Sequence, residues 1–446
     1  MTPILLVSAV VLFVVVLLVV DTDLLLPIGL ASTALIPIGW TGLPEAVTVV
    51  SPGAVVVLVW AVRGGLQQSG SSVLVAVLGL AAIAWLTVET VTSISLVRSI
   101  GWSTSFVVLV LVPLLSRSLD ERETRRITTT WIVLVIGLTG FGVAERLLET
   151  NPLYGSLFLG GEYPILQHWS SYRITTTLGH PLSNSLFFAI GVTLTLGRYV
   201  HEGSRHSLLA AGVGLAGLLL TVSRGGVVAV AVGVAVVLVA PQARKDGRGG
   251  AHGTSRRRVT GLLTLVTGGL AILASPEFQE RQQSWSGIAS AQQRSEIGPI
   301  VLRAASSMQW LGSGPGTSNG LLRTLGTPVI IENSYYQLLL SLGVPGLALF
   351  VGLVATVVVV GLHRRDAAAV GALAALCVAA GGFNWIEADR PSMLYLGLLA
   401  AMAISGRQTD PDHDGPLSQA AEKVEPMNAK SRAMRGNEPC TNAELR

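Results

Sequence analysis

The chain has 446 residues, of which half are hydrophobic and 13% charged, with a mean hydropathy of +0.61 and a formal net charge of +4. Apolar stretches of on the order of 20 residues, the length that crosses a roughly 30 Å hydrocarbon layer, recur as far as residue 405, which excludes a soluble globular fold. Runs such as VVLFVVVLLVV and VATVVVV do not alternate, which excludes a transmembrane β-barrel.

The expected fold class is all-α, a polytopic integral membrane protein with about 12 transmembrane helices. The opening MTPILLVSAVVLFVVVLLVVDTD lacks a basic start and a small-residue cleavage site, so it reads as a retained first span. Spans are expected near residues 4–20, 24–40, 47–62, 73–90, 103–116, 128–145, 178–197, 207–222, 225–240, 259–274, 333–361, 368–385 and 392–405. Lys and Arg gather in the linkers 116–127, 198–206, 241–258 and 361–366, which the positive-inside rule assigns to the cytoplasm. Counting back from the first of these puts the N-terminus outside. The connections 146–177 and 275–332 then lie on the exoplasmic side.

The domain plan is a membrane domain over 1–406 and a polar, disordered cytoplasmic tail over 407–446. Cys377 and Cys440 are the only cysteines, which leaves no disulfide framework and no cysteine metal site. No metal and no other cofactor is expected, and no nucleic-acid partner.

Chemistry concentrates in three places. Within YRITTTLGHPLSNSLFF, residues 172–188, Arg173 and His180 stand at the exoplasmic mouth of a span. His180 beside a proline also suits a local hydrogen-bonding role.

Within LLAAGVGLAGLLLTVSRGGVVAVAVGVAVVLVA, residues 208–240, Arg224 is the single charge. Ser223-Arg224-Gly225-Gly226 reads as a hairpin turn that holds the guanidinium at the depth of a lipid phosphate.

The third place is the loop 275–332, whose segment AQQRSEIGPIVLRAASSMQW forms an amphipathic helix with Ile297, Ile300, Val301, Ala304 and Met308 on its apolar stripe. That stripe lies on the membrane surface or on other spans. Arg294 and Arg303 flank it on opposite sides. LGSGPGTSNG follows, a turn whose backbone N–H groups could cradle an anion, without the GK[ST] of a P-loop.

The loop ends at TPVIIENSYYQLLLSLGVPGLALF, where Glu332 or Asn333 could cap the next helix and Gly343 and Pro345 allow it to bend. Glu332, Tyr335, Tyr336, Leu339 and Gly343 share one face.

The serial order of these segments resembles the O-antigen ligase and polymerase superfamily of bacterial polysaccharide assembly, over roughly residues 170–360. The resemblance implies a metal-independent inverting glycosyltransferase at the outer face of the cytoplasmic membrane. Its donor is implied to be an undecaprenyl-diphosphate-linked oligosaccharide, its acceptor a hydroxyl on a glycan, lipid or protein, and its setting the membrane lipids. Arg224 and Arg294 match the two arginines implied to bind the carrier diphosphate. The family's ligases carry a histidine followed by asparagine where this chain has Glu332 and Asn333, and an asparagine is commoner where it has His180.

The sequence therefore proposes Glu332, Arg224 and Arg294 as catalytic residues and Arg173, His180, Asn333 and Tyr336 as substrate-binding residues. Glu332 is the expected general base and His180 the next candidate. Polymerase is favoured over ligase. A transporter or flippase for a lipid-linked or anionic solute would use the same arginines without chemistry, but would carry polar groups near the midplane. A non-catalytic scaffold is the third reading.

Overall fold

A computed structural model describes residues 15–36, 51–65, 72–153, 172–240, 251–327 and 329–405. Most of the first expected span and the whole of the expected tail lie outside these residues. Every regular element among them is helical.

The helices are α1 (Thr22–Leu35), α2 (Pro52–Trp60), α3 (Val73–Val91), α4 (Leu96–Phe106), α5 (Glu121–Leu148), α6 (Pro181–Glu202), α7 (Arg205–Leu220) and α8 (Arg224–Val239). They continue with α9 (Ala251–Ala274), α10 (Pro276–Gln283), α11 (Trp285–Ser307), α12 (Ser318–Thr324), α13 (Ser334–His363), α14 (Ala367–Ala380), α15 (Trp385–Ala388) and α16 (Met393–Ser405). Past Phe106, α4 runs on through a π turn to Leu115.

Among the described residues, five helical stretches are long and apolar enough to cross a membrane: Val73–Val91, Leu96–Leu115, Glu121–Leu148, Ser255–Ala274 and Ser334–His363. The remaining apolar helices, such as Arg205–Leu220 and Arg224–Val239, are shorter. The centre of the bundle is α6, whose residues from Ser183 to Gly197 are all buried. A helix apolar on one stripe packs at the edge of a bundle, whereas one buried all round must be its core. Small residues permit this: a Cβ on Gly191 would meet Trp131, and one on Gly197 would meet Ala368.

Helix ends collect at two opposite ends of the bundle. At one, Leu119 N–H donates to Ser405 Oγ at 2.8 Å, Arg364 to Ile404 O, Arg257 to His201 O at 3.4 Å and Arg258 to Ala240 O at 3.3 Å. Asp23 of α1 pairs there with Arg122 at 2.9 Å and Arg126 at 2.7 Å. Described parts of all four basic linkers thus share one end, and arginines cap its exposed carbonyls. The start of α5 is fixed there by a capping box between Asp120 and Glu123, whose carboxylate also holds Arg117 and the Trp60 indole.

The opposite end carries the start of α6, the α7–α8 turn, helices α10 to α12, and the connection from α14 to α16. The apolar stripe of α11 faces the bundle: Ile297, Val301 and Ala304 are buried with Leu339 and Leu340 of α13, and Ile300 and Met308 are partly covered. It lies on another helix rather than on an open surface.

α13 is bent where the sequence placed the bend. Gly343 adopts φ 66° and ψ −174°, so the helical ladder is interrupted. The interruption is filled by the glycine-rich segment: Ser313 N–H donates to Leu340 O at 2.9 Å, Gly314 N–H to Ser341 O at 3.0 Å and Val344 N–H to Trp310 O at 2.9 Å. The Trp85 indole covers Leu342 O at 2.9 Å. Backbone groups that a break exposes inside a membrane need such partners.

Candidate active site

Arg224 is the first residue of α8. The turn before it is tight because Val222 takes a left-handed conformation, φ 50°, and Ser223 caps α8 by accepting the Gly226 N–H at 3.2 Å. Gly226 is closely packed, since a Cβ there would come within 2.6 Å of Leu218 Cδ1 and 3.0 Å of Ser185 Cβ, while a Cβ on Gly225 meets nothing within 4 Å. The Arg224 side chain is exposed and has no ion-pair or hydrogen-bond partner among the described residues.

Arg173 is buried, only 2% exposed, and its Nε donates to Thr221 O at 2.8 Å. It thereby fastens the 172–180 segment to the turn that carries Arg224. The same segment is held from α5 by Glu145. That carboxylate is fully buried and accepts Tyr172 Oη–H at 2.9 Å, Thr175 N–H and Oγ1–H at 2.7 Å each, and Thr176 N–H at 2.8 Å. Asn184 of α6 adds a second brace, donating to Thr175 O and His180 O.

His180 caps α6. Its Nδ1 accepts the Leu182 N–H at 3.1 Å, so the neutral ring carries its own proton on Nε2 and presents a donor to the surface. The ring stacks on Phe383, with centroids 5.7 Å apart and planes 3° from parallel. The side chain is exposed, and crowding by neighbouring protein atoms, then the Arg173 charge, hold its pKa below the ordinary histidine value.

The Gly381–Phe383 turn joins His180 to the start of α13. Asn333 Nδ2 donates to Gly381 O at 2.9 Å and Ser334 Oγ to Phe383 O at 2.7 Å. Asn333 Oδ1 accepts the N–H groups of Tyr335 at 2.9 Å and Tyr336 at 3.1 Å, so Asn333 is the helix cap. Glu332 is therefore not needed as the cap. Its Oε2 instead accepts Arg294 Nη2–H at 2.8 Å and Nε–H at 3.2 Å. Tyr336 packs one turn further along, its hydroxyl 3.3 Å from where a Cβ on Gly298 would stand. Arg303 lies on the other flank of α11 and is exposed.

The structure thus links the sequence-derived residues Arg224, Arg173, His180, Asn333, Glu332 and Arg294 into a rim, with Phe383, which the sequence did not point to, between His180 and Asn333. Arg294 and Glu332 touch; Arg224 touches neither. Arg173 and Asn333 spend their polar groups at least partly on backbone carbonyls and amides, which is a positioning geometry. Sequence reasoning missed Glu145, a buried carboxylate near the end of a long apolar helix, in the run GVAERLLET, that could have been flagged on the same grounds as Arg224.

The glycine-rich segment does not form an open anion cradle. The Ser313, Gly314 and Ser318 amides are spent on α13 and the Thr317 amide on Gly314 O, and Gly316 O accepts Arg98 Nε–H at 2.6 Å while Ser99 Oγ donates to Pro315 O at 3.0 Å. Ser318 and Ser341 both donate to the buried Glu387. The glycines serve close approach: Cβ atoms on Gly314 and Gly316 would strike Ser93 and Trp102.

A family model described as O-antigen ligase matches residues 209–351. That stretch belongs to the O-antigen ligase family. The match contains the Arg224 turn, all of α11, Glu332 and the bend of α13. The match supports, in general terms, a multi-pass membrane enzyme of polysaccharide assembly that carries out glycosyl transfer of the ligase and polymerase type. Arg173 and His180 precede the matched stretch. No curated protein matches the chain.

Proposed function

We propose that this O-antigen ligase-family protein transfers glycan from an undecaprenyl-diphosphate-linked oligosaccharide to an acceptor hydroxyl at the outer face of the cytoplasmic membrane, acting as a polymerase in preference to a ligase. The membrane domain crosses the bilayer about 12 times, with the arginine-rich end in the cytoplasm. The single observation that carries this reading is the contact between Glu332 and Arg294 on the end of the bundle where Arg224 has no partner among the described residues.

Glu332, as the general base, takes the proton of the acceptor hydroxyl. The acceptor oxygen then bonds to the anomeric carbon from the face opposite the diphosphate, and the anomeric carbon–oxygen bond breaks with its electron pair passing to the diphosphate. Guanidinium forks stabilise charge that develops on phosphate oxygens, which is the role given to Arg224 and Arg294. Arg173 and Asn333 hold the rim, Tyr336 sets the α11–α13 register, and His180 Nε2–H donates to a substrate oxygen. No metal is assigned a step; neutralising the leaving diphosphate is the role given to the guanidinium groups. Chelation is expected to leave the rate unchanged.

Reconstitution with a lipid-diphosphate oligosaccharide tests the reading. A ladder of glycan lengths supports polymerase, a single transfer to another lipid or protein would revise it to ligase, and movement across the bilayer without a new bond would replace it with transport.

A further inference from the structure

We propose that Arg294 is shared between Glu332 and the donor: an arriving diphosphate draws the guanidinium away from the carboxylate, and filling the donor site thereby releases the base that the acceptor needs. This inference rests on the reading of the site given above.

Four features of the pair lead to it. Both Arg294 donors converge on the single oxygen Oε2, so one edge of the fork is engaged and the Nη1 edge is not needed for the pair. The side chains are 50% and 33% exposed, within reach of a ligand from outside. Glu332 has Arg294 as its partner among the described residues and is not tied to the helix, since Asn333 supplies the cap. Beneath the pair the backbones are fixed in parallel register by the Gly298–Tyr336 approach and the Ile297, Val301, Leu339 and Leu340 cluster. Exchange of partners then requires side-chain rotation alone.

The direction of exchange follows from charge. An exposed ion pair is weak. A diphosphate offers more negative charge and several acceptor oxygens to the same fork. A donor that first meets Arg224, which has no partner among the described residues, reaches Arg294 with one guanidinium already bound to it. Without donor, Glu332 stays engaged with Arg294. With donor, the guanidinium exchanges one anion for another, no covalent bond changes, and the carboxylate turns to the acceptor hydroxyl.

A binding cycle tests this with the full-length protein in nanodiscs and undecaprenyl diphosphate, the carrier without its glycan, as probe. Glu332→Gln should bind it about two- to five-fold more tightly than wild type, the range a surface ion pair spans, because the competitor for Arg294 is gone. The same substitution in an Arg294→Ala background should not tighten binding, which separates competition for Arg294 from simple loss of a repelling charge. Unchanged or weaker binding by Glu332→Gln, or equal tightening in both backgrounds, overturns the sharing of Arg294 and leaves the glycosyltransferase reading intact. A wild-type protein that does not bind the probe overturns both. Full transfer activity in Glu332→Gln overturns the base assignment whatever the affinities show.

Discussion

His180 lies flat against Phe383, ring planes 3° apart, while its Nδ1 accepts the Leu182 N–H. The ring is thus a helix cap on one nitrogen and a hydrogen-bond donor on the other, a poor arrangement for taking a proton from a hydroxyl.

His180→Asn should keep most of the activity, because an asparagine side chain can accept the same N–H and donate through its amide. His180→Ala should lose the cap, at a cost of about 1 kcal/mol in stability, and bind donor or acceptor less well. The sign of the pH effect follows from the lowered pKa. Below the unfolded value near 6.5 the unfolded chain binds a proton that the fold disfavours, so stability falls as pH drops, by a small amount because His180 is exposed to solvent. Thermal melting from pH 7 to pH 4 should show a steeper loss in wild type than in His180→Asn. Activity should show no limb near neutrality that vanishes in His180→Ala.

Arg224→Ala and Arg224→Lys should both abolish transfer in a protein that still inserts, since lysine keeps the charge and loses the planar fork. Full activity of the lysine variant would argue against bidentate diphosphate binding. The neighbouring glycines supply a control: Gly225→Ala should be near neutral, and Gly226→Ala, which crowds Leu218 and Ser185, should lose about 1 to 3 kcal/mol in a melting or denaturation series.

Glu332→Gln should lower turnover by something like 10²- to 10⁴-fold without lowering the melting temperature, because Asn333 rather than Glu332 caps α13. Asn333→Ala should do the reverse in part, costing about 1 kcal/mol of stability through the lost cap. Arg294→Ala should behave as Arg224→Ala, and Arg303→Ala should be mild. Equal loss at Arg294 and Arg303 would show that the two flanks of α11 are not distinguished by the site.

Sidedness is open to labelling. In a cysteine-free background, cysteines placed at Ser255 and Ser306, both exposed, should react from opposite sides of the membrane, the second from outside. Ser313 is unsuitable, being 1% exposed. Labelling of both from one side would separate the basic end from the cytoplasm and overturn the topology.

Much of this arrangement was legible in the sequence, and the rest was not, for physical reasons. The Arg224 turn could be read because a charge and two small residues interrupt an apolar run. The stripe of α11 and the bend at Gly343 could be read because both are local patterns of period or backbone type. The pairing of Arg294 with Glu332 joins residues 38 apart, and no local pattern specifies it. The cap was ambiguous because Glu332 and Asn333 are adjacent and both can accept amide protons; only the backbone geometry assigns it to Asn333. The glycine-rich segment misled in a definite way: an array of N–H groups reads the same whether it awaits an anion or the carbonyls of a broken helix.

That last point bears on how such proteins can be recombined. The break in α13 and the segment from Trp310 to Gly314 complete each other, donor for acceptor and gap for gap, across a stretch of chain that also carries Arg294 and Glu332. A chimera that exchanges the loop but keeps the helix, or the reverse, is expected to leave mismatched carbonyls at the joint, whereas one that moves residues 294–344 as a block transfers the joint and the ion pair intact. The unit of exchange in this protein is therefore set by a splice between two backbones, not by the boundary between loop and membrane.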